Sequence, residues 1–434
     1  MKMKRKIKSS VALLLSIALL ATNGGFSTMD SVKAASSSTA TDLNCWDYTI
    51  DGDNVILSKI KQLDADDSIT VSSTYTLDDK TYKTIIDSTD NVCSPFYNAD
   101  NFEKVLNPYS VTIANGVTFK SNSTANLFNM CSNLKSLDLS AVDLSAITNT
   151  SSMFANCNKL THISVKSDAF LNVKEASYMF SSCEKLKDVS ELSFPEVQNA
   201  SFMFSWSGVT DFDCSIIPKA TDLTGLLSGC SDLSSFSFGS LDLVGVTSIS
   251  EMLRGTAITE LNFDGADLSN IKNFSYLAAE MSNLISFSFG DNVIDNSDFH
   301  YMLFNCPSLK TVDLSAIKDS SGLTNASSIL QGSTAIQTLK TPACIMDLPI
   351  YMIDESENLV NFTDGTVQTL RASTQREINI TFQLNTENYR IVDDPVVVGM
   401  SGEVLPRIPE YEKVTTGTFS SEYEEGSDEW NKEH

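Results

Sequence analysis

The feature that most constrains this chain is a spaced apolar pattern that returns about every two dozen residues, within the range of leucine-rich repeats. The template is Leu127-Phe128, Cys131, Leu134, Leu137 and Leu139, followed by Ser140. It recurs as Met153-Phe154, Cys157, Leu160, Ile163, Val165, and as Met179-Phe180, Cys183, Leu186, Val189. Later copies are Leu226-Leu227, Cys230, Leu233, Phe236, Phe238, and Met302-Leu303, Cys306, Leu309, Val312, Leu314. A second form of the unit lacks one residue before the strand: Met203-Phe204, Val209, Phe212, and Met252-Leu253, Ile258, Leu261, Phe263. Two further copies put Met281 and Ser333 in the Cys slot. Phe96, Ala99, Phe102, Val105 reads as a degraded first copy, and Met352-Ile353, Ser356, Leu359, Phe362 as a degraded last one.

One unit cannot bury such a face alone, so copies must stack into a continuous core. Each L-x-L piece alternates inward and outward as a strand does. The expected architecture is a right-handed α/β solenoid with one parallel sheet, in which Leu137 pairs with Ile163. Asn149 and Ser151 offer helix N-caps, so a short helical turn is expected to carry Met153-Phe154 and Cys157 inward. About ten or eleven copies, at strand spacing, give a body on the order of 50 Å long.

Residues 1–34 read as a secretory signal: Lys2, Lys4, Arg5, Lys6 and Lys8, then an apolar run from Val11 to Thr22, then Val32-Lys33-Ala34. The style is that of a Gram-positive export signal. The run is too short to span a bilayer, and no integral membrane protein is expected. Without this segment the chain keeps 24 basic and 54 acidic residues, a net charge of −30. That charge opposes nucleic acid as a partner. Nine cysteines in an exported chain would suggest disulfides. However, Cys131, Cys157, Cys183, Cys230 and Cys306 share one slot with Met and Ser, which points to free thiols packed as small core residues. Cys45 and Cys93 lie outside the repeat, and a bond between them stays open.

The recurring M-F-x-x-C-x-x-L-x-x-L-x-L-S pattern behind a signal resembles the BspA-like leucine-rich-repeat surface proteins, over roughly residues 95 to 365. The stretch around Asp47-Tyr48-Thr49-Ile50 and Ile69-Thr70-Val71 resembles their β-rich N-terminal segment and is expected to cap the stack. Ile378, Ile380, Phe382 and Leu384 alternate, and Val396-Val397-Val398 follows; this resembles an internalin-type B-repeat, a β-grasp-like module. Its F-x-G-W-Y stretch is here Phe419-Ser420-Ser421-Glu422-Tyr423, without the Gly and Trp. The division expected is signal 1–34, cap 35–94, solenoid 95–365, linker 366–376, a small β-grasp-like module 377–421, either degenerate or incomplete, and an acidic tail 422–434.

No H-E-x-x-H, G-x-S-x-G or P-loop occurs, and the three histidines stand in unrelated contexts. His162 is expected to face solvent beside its strand. No enzyme, metal or cofactor is expected. The outward strand positions Asp138, Ser164, Asp213, Ser237, Asn262, Ser288 and Asp313, continued by Lys340, form a ladder on one face. It is either a solvated sheet face or a ligand surface, and no aromatic anchor is visible on it. The resemblance implies a monomeric, secreted or cell-surface binding protein, engaging an extracellular protein or glycan in adhesion. A structural spacer without a ligand is the alternative, and a secreted hydrolase a third.

Overall fold

The computed structural model describes residues 42–64, 67–88, 94–99, 105–295, 297–318 and 329–341, together with the backbone of short strands between 352 and 413. The export signal, Phe102, Cys93, the rest of the degraded last copy and the tail lie outside the described residues. At the N-terminal end, β1 (Trp46–Asp51), β2 (Asn54–Ile60), β4 (Thr74–Leu77) and β5 (Lys80–Ile86) form a sheet in the order β1-β2-β5-β4. The strand between them, β3 (Ser68–Val71), leaves this sheet and pairs in parallel with β6 (Ser110–Ile113). The short β7 (Thr118–Phe119) returns to pair with β5. Cap and solenoid are therefore laced together in both directions.

From β6 the parallel sheet continues through β8 (Ser136–Asp138) and β9 (His162–Ser164), with Leu137 opposite Ile163 as the pattern predicts. It resumes as β10 (Asp211–Asp213) beside β11 (Ser235–Ser237). A third run holds β12 (Glu260–Asn262), β13 (Ser286–Ser288), β14 (Thr311–Asp313) and β15 (Thr338–Lys340). Two strands end this run: β16 (Met352–Ile353) pairs with β17 (Thr369–Ala372), and β17 lies antiparallel to β15. Further on, β18 (Glu377–Asn379) pairs with β20 (Val397–Gly399), and β19 (Tyr389–Ile391) with β21 (Tyr411–Lys413), both antiparallel. One apolar core runs unbroken from Leu43 to Leu339. Inside it Phe96, Phe128, Phe154, Phe180 and Phe204 stack at 5.1, 5.5, 5.3 and 5.2 Å, and Trp46 of the cap closes the column edge-on.

The expected helical turns do not form; no α-helix occurs among the described residues. Through the Met-Phe segment the backbone alternates its partners. The N–H groups of Ser152, Phe154 and Asn156 donate to Ser177, Met179 and Ser181 of the next unit, at 2.8, 2.9 and 2.8 Å. The N–H groups between them, on Met153, Ala155 and Cys157, close turns three residues back. Satisfying every group this way needs left-handed backbone at two positions per unit, four residues apart. They are Ser152 and Asn156 in one unit, Gly225 and Gly229 in another. Asn149 does not cap a helix: its Oδ1 accepts from Ser151 N–H at 2.9 Å in a local turn.

The shared thiol slot is more specific than its apolar reading. Cys131, Cys157, Cys183, Cys230 and Cys306 are buried and free. Cys157, Cys183, Cys230 and Cys306 point their Sγ at the carbonyl of Phe128, Phe154, Phe204 and Ala278 in the preceding unit, at 3.0 to 3.2 Å. Ser333 does the same to Leu303 at 2.7 Å. At these positions the slot thus supplies one donor, while Met281, also buried there, fills it without one. Burial pushes the Cys131 thiol up to about 12 and Cys230 and Cys306 to about 11. Cys45 is free and half-buried.

Candidate functional site: the strand face and its breaks

Alternation along each strand places all seven ladder residues outward, and none is buried. His162 is also exposed. Pairing brings Asp138 beside Ser164, Asp213 beside Ser237, and Asn262 beside Ser288 and Asp313 in sequence. Lys340 follows and reaches Asp313 at 3.2 Å.

Six of the seven side chains also hold the turn that follows their strand. Asp138, Asp213 and Asp313 accept the N–H of Ser140, Ser215 and Ser315 at 2.8, 2.7 and 2.9 Å. Asn262 accepts from Asp264, and Ser237 and Ser288 accept from Gly239 and Gly290. Hydrogen bonds from Ser140 and Ser215 hold the Asp138 and Asp213 carboxyls below the usual range. Burial raises that of Asp313, but the bonds from Ser315 and Lys340 outweigh it and the net shift is downward. These residues are short side chains with an oxygen because the turn needs one.

The ladder is not continuous. No backbone bridge joins β9 to β10 or β11 to β12 among the described residues, and residues 188–190, which the repeat places between β9 and β10, form no strand. The break between β11 and β12, and the missing pairing of residues 188–190 with β10, come where a full-length unit is followed by the form shortened by one residue. Residues 188–190 also do not pair with β9, although both of those units are full-length. The strand-centre residue falls ten positions after the first apolar residue from Met179 to Val189, but nine from Met203 to Phe212. The same step recurs between Leu226–Phe236 and Met252–Leu261. Pairing resumes where a short unit precedes a long one.

Each break opens a cavity on the strand face. The larger, of about 520 Å³, lies between β11 and β12. Ser237 and Asn262 rim it together with Glu260 and Asp264. Phe236 and Phe238, read from sequence as core, are only half-buried and line it with Phe263. The rings of Phe236 and Phe238 meet edge-on at 5.0 Å, and Phe238 lies 5.8 Å from Phe263. The second cavity, about 300 Å³, is lined by Val189, Phe212, Asp213 and Ser237 among others. So the face does carry aromatic groups, contrary to the sequence expectation. Their signal was the combination of Phe at strand positions with the shortened spacing. No cluster of His, Cys, Asp and Glu able to hold a metal occurs among the described residues. Nor is any helix there long and apolar enough to cross a membrane.

Known proteins give matches at two levels. Residues 74–162 and 96–217, in overlapping stretches, match the family described as Mycoplasma protein of unknown function, DUF285. A search of curated proteins gives no match. Among solved structures, a leucine-rich cell surface protein from Faecalibacterium prausnitzii is 16% identical, with a TM-score of 0.37, covering 71% of this chain and 96% of that one. A leucine-rich repeat protein from Bacteroides ovatus is 12% identical, with a TM-score of 0.29 and coverage of 74% and 83%. The pneumococcal vaccine antigen PcpA is 13% identical, with a TM-score of 0.34 and coverage of 69% and 92%. These structural likenesses are distant, and the repeat type rests on the chain's own pattern and register. The DUF285 match runs from β4 through β10, so the repeats of residues 74–217 are similar to that family's, within the leucine-rich-repeat solenoid that the chain's own pattern and register form.

Proposed function

We propose that this chain is an exported binding protein that engages an extracellular protein or glycan through its strand face, in adhesion to a surface or a neighbouring cell. The observation that supports it is the cavity between β11 and β12, where three aromatic rings lie beneath a polar rim at an interrupted sheet. Apolar walls with a few polar groups at the rim are the usual make-up of a recognition site. The strand edges that face each other there make no backbone bridge, so their peptide groups are open to a ligand's hydroxyls or amides. Asp138, Asp213 and Asp313 give the face a negative field that speeds encounter with a basic or donor-rich partner.

The turn-capping role of the ladder side chains favours a second reading, a spacer without a specific ligand, since those residue types are accounted for by the fold. Immobilised matrix glycoproteins and cell-surface glycans separate the two. The binding reading predicts capture of the wild-type chain and its loss in Ser237→Lys/Asn262→Lys, which fills the rim. It predicts a slower on-rate with a weaker salt dependence for Asp138→Asn/Asp213→Asn/Asp313→Asn, whose Asn side chains still hold the turns as Asn262 does. Equal capture of wild type and the rim variant removes the strand face as the site. Capture of neither, across the whole set, leaves the spacer.

A further inference from the structure

The two left-handed slots of each unit form rows along the solenoid, and in the middle units these rows dip into a third cavity, of about 610 Å³. It shares no lining residue with the strand-face cavity. Gly229 and Gly255 lie along its floor. One wall is Phe202 and Trp206, both in left-handed backbone at φ 53° and 58°. A bulky side chain is strained there. The slot of Phe202 is aromatic in other units too, as Tyr178, Tyr276 and Tyr301. No other described unit puts an aromatic ring in the slot of Trp206, which elsewhere holds Met130, Asn156, Ser182, Gly229, Gly255, Glu280 or Asn305. Of these, Asn and Gly tolerate that backbone far better. Burial does not repay Trp206, which is 65% exposed. The next unit is shaped to seat these rings. A Cβ on Gly229 would come within 2.5 Å of the indole, and one on Gly225 within 2.2 Å of the Phe202 ring. Phe202 is stacked on Tyr178 at 5.0 Å and backs the wall, and an exposed indole kept at a backbone cost, on a glycine seat, is what a ligand-stacking platform requires.

The facing wall is polar and fixed. Arg254 donates to Glu251 at 3.0 Å and to Glu280 at 2.9 Å, and its guanidinium lies 5.6 Å from the centre of the Tyr276 ring. Asp232, also lining the cavity, is matched by Lys187 at 3.7 Å. Glu184 and Lys185 complete the charged lining, four carboxylates against two cations, so the trough offers oriented donors and acceptors within a net negative field. That argues against a phosphate as the preferred ligand and leaves a basic peptide as the competitor to be tested. An aliphatic peptide would have to cover the charged wall without satisfying it, at a desolvation cost. A neutral polyhydroxylated ring suits both walls: its polarised C–H face stacks on the negative face of an aromatic ring, and its hydroxyls both donate and accept.

We propose that this trough binds a neutral saccharide, with one sugar ring stacked on Trp206 and its hydroxyls held by the Arg254, Glu251 and Glu280 fork. The site is independent of the strand-face reading and stands or falls separately.

The chain has three tryptophans, and Trp46 is buried in the cap, so Trp206 is the expected fluorescent reporter of a ligand in the trough. The full secreted chain should be titrated with neutral oligomers of glucose, galactose, mannose and N-acetylglucosamine, and with a Lys/Arg-rich peptide. The expected result is a saturable fluorescence change with at least one oligosaccharide. By calorimetry, Trp206→Ala should weaken that binding about tenfold or more, and Trp206→Phe should retain most of it. Glu280→Gln should weaken it without altering the melting temperature, which covers the case in which Trp206→Ala fails to fold. No saturable binding by any oligosaccharide overturns the proposal. So does binding that Trp206→Ala leaves unchanged, or Trp206-dependent binding of the basic peptide alone.

Discussion

The first four complete units and the four that follow them solve the same packing problem with opposite residues. In the first set the second residue of the apolar pair is Phe128, Phe154, Phe180 and Phe204, and the inward residue four positions earlier is small: Thr124, Thr150, Ala176, Ala200. In the second set those two positions hold Leu227 with Leu223, Leu253 with Ile249, Ala278 with Phe274, and Leu303 with Phe299. The large ring has moved from one slot to the other, through a Leu-Leu intermediate, and all of these side chains are buried. Phe274 and Phe299 stack at 5.3 Å, as the early column does in its own slot. The solenoid conserves volume per layer, not residue per position, as a close-packed core requires.

That comparison breaks most visibly in the early column. Phe180→Ala leaves a hole that Ala176 and Ala200 cannot fill, and should cost about 3–5 kcal/mol in denaturant unfolding. In the late region the same exchange runs backwards. Ala278→Phe should overpack against Phe274 and cost about 1–3 kcal/mol, and adding Phe274→Ala should recover most of it. A double variant no better than the single one would mean that the two slots do not share one volume.

The thiol slot is common to both regions and sharpens the comparison at lower energy. Cys157→Ser should be nearly neutral, because Ser333 already makes the same bond. Cys157→Ala, which leaves the Phe128 carbonyl without that donor, should cost about 1 kcal/mol. In the native protein an alkylating reagent should spare Cys157 and Cys183 and label Cys45, which is half-buried. A cross-linked Cys157–Cys183 peptide in mass spectrometry would contradict the core assignment.

The smallest effect is electrostatic. The carboxyls of Asp138, Asp143, Asp188, Asp213 and Asp267 are lowered by the hydrogen bonds they accept in turns. A depressed carboxyl contributes stability that is present above the unfolded value of about 3.9 and is lost as pH falls through the lower folded value. The melting temperature should therefore be flat from neutral pH down to about 5 and fall below about 4. In the Asp138→Asn/Asp213→Asn/Asp313→Asn variant the fall should be shallower. An equally steep fall would place the acid sensitivity elsewhere.

Strand alternation made the parallel sheet legible: Leu137 opposite Ile163 follows from L-x-L alone. The Met-Phe segment was misread as helical because Met153, Phe154 and Cys157 share the spacing of a helix face. What excludes a helix is the pair of left-handed positions, and Asn156, Asn305, Gly225, Gly229 and Gly255 were the residues that marked them. The one-residue deletion before Phe212 and Leu261 was visible as a second form of the unit. Its consequence, a break in the sheet, needed the register of neighbouring strands. Trp206 and Phe202 carried no signal, because the pattern treats their slots as free positions.

The central claim is that the strand face is interrupted between β11 and β12 and that recognition gathers there. Amide hydrogen exchange, resolved by residue, tests it directly. Slow exchange is predicted through 286–288 and 311–313, where each strand pairs on both sides. Faster exchange is predicted for the amides of 235–237 and 260–262 that face the break, with protection there when a captured partner is added. Uniformly slow exchange across all four strands, unchanged by the partner, would contradict it.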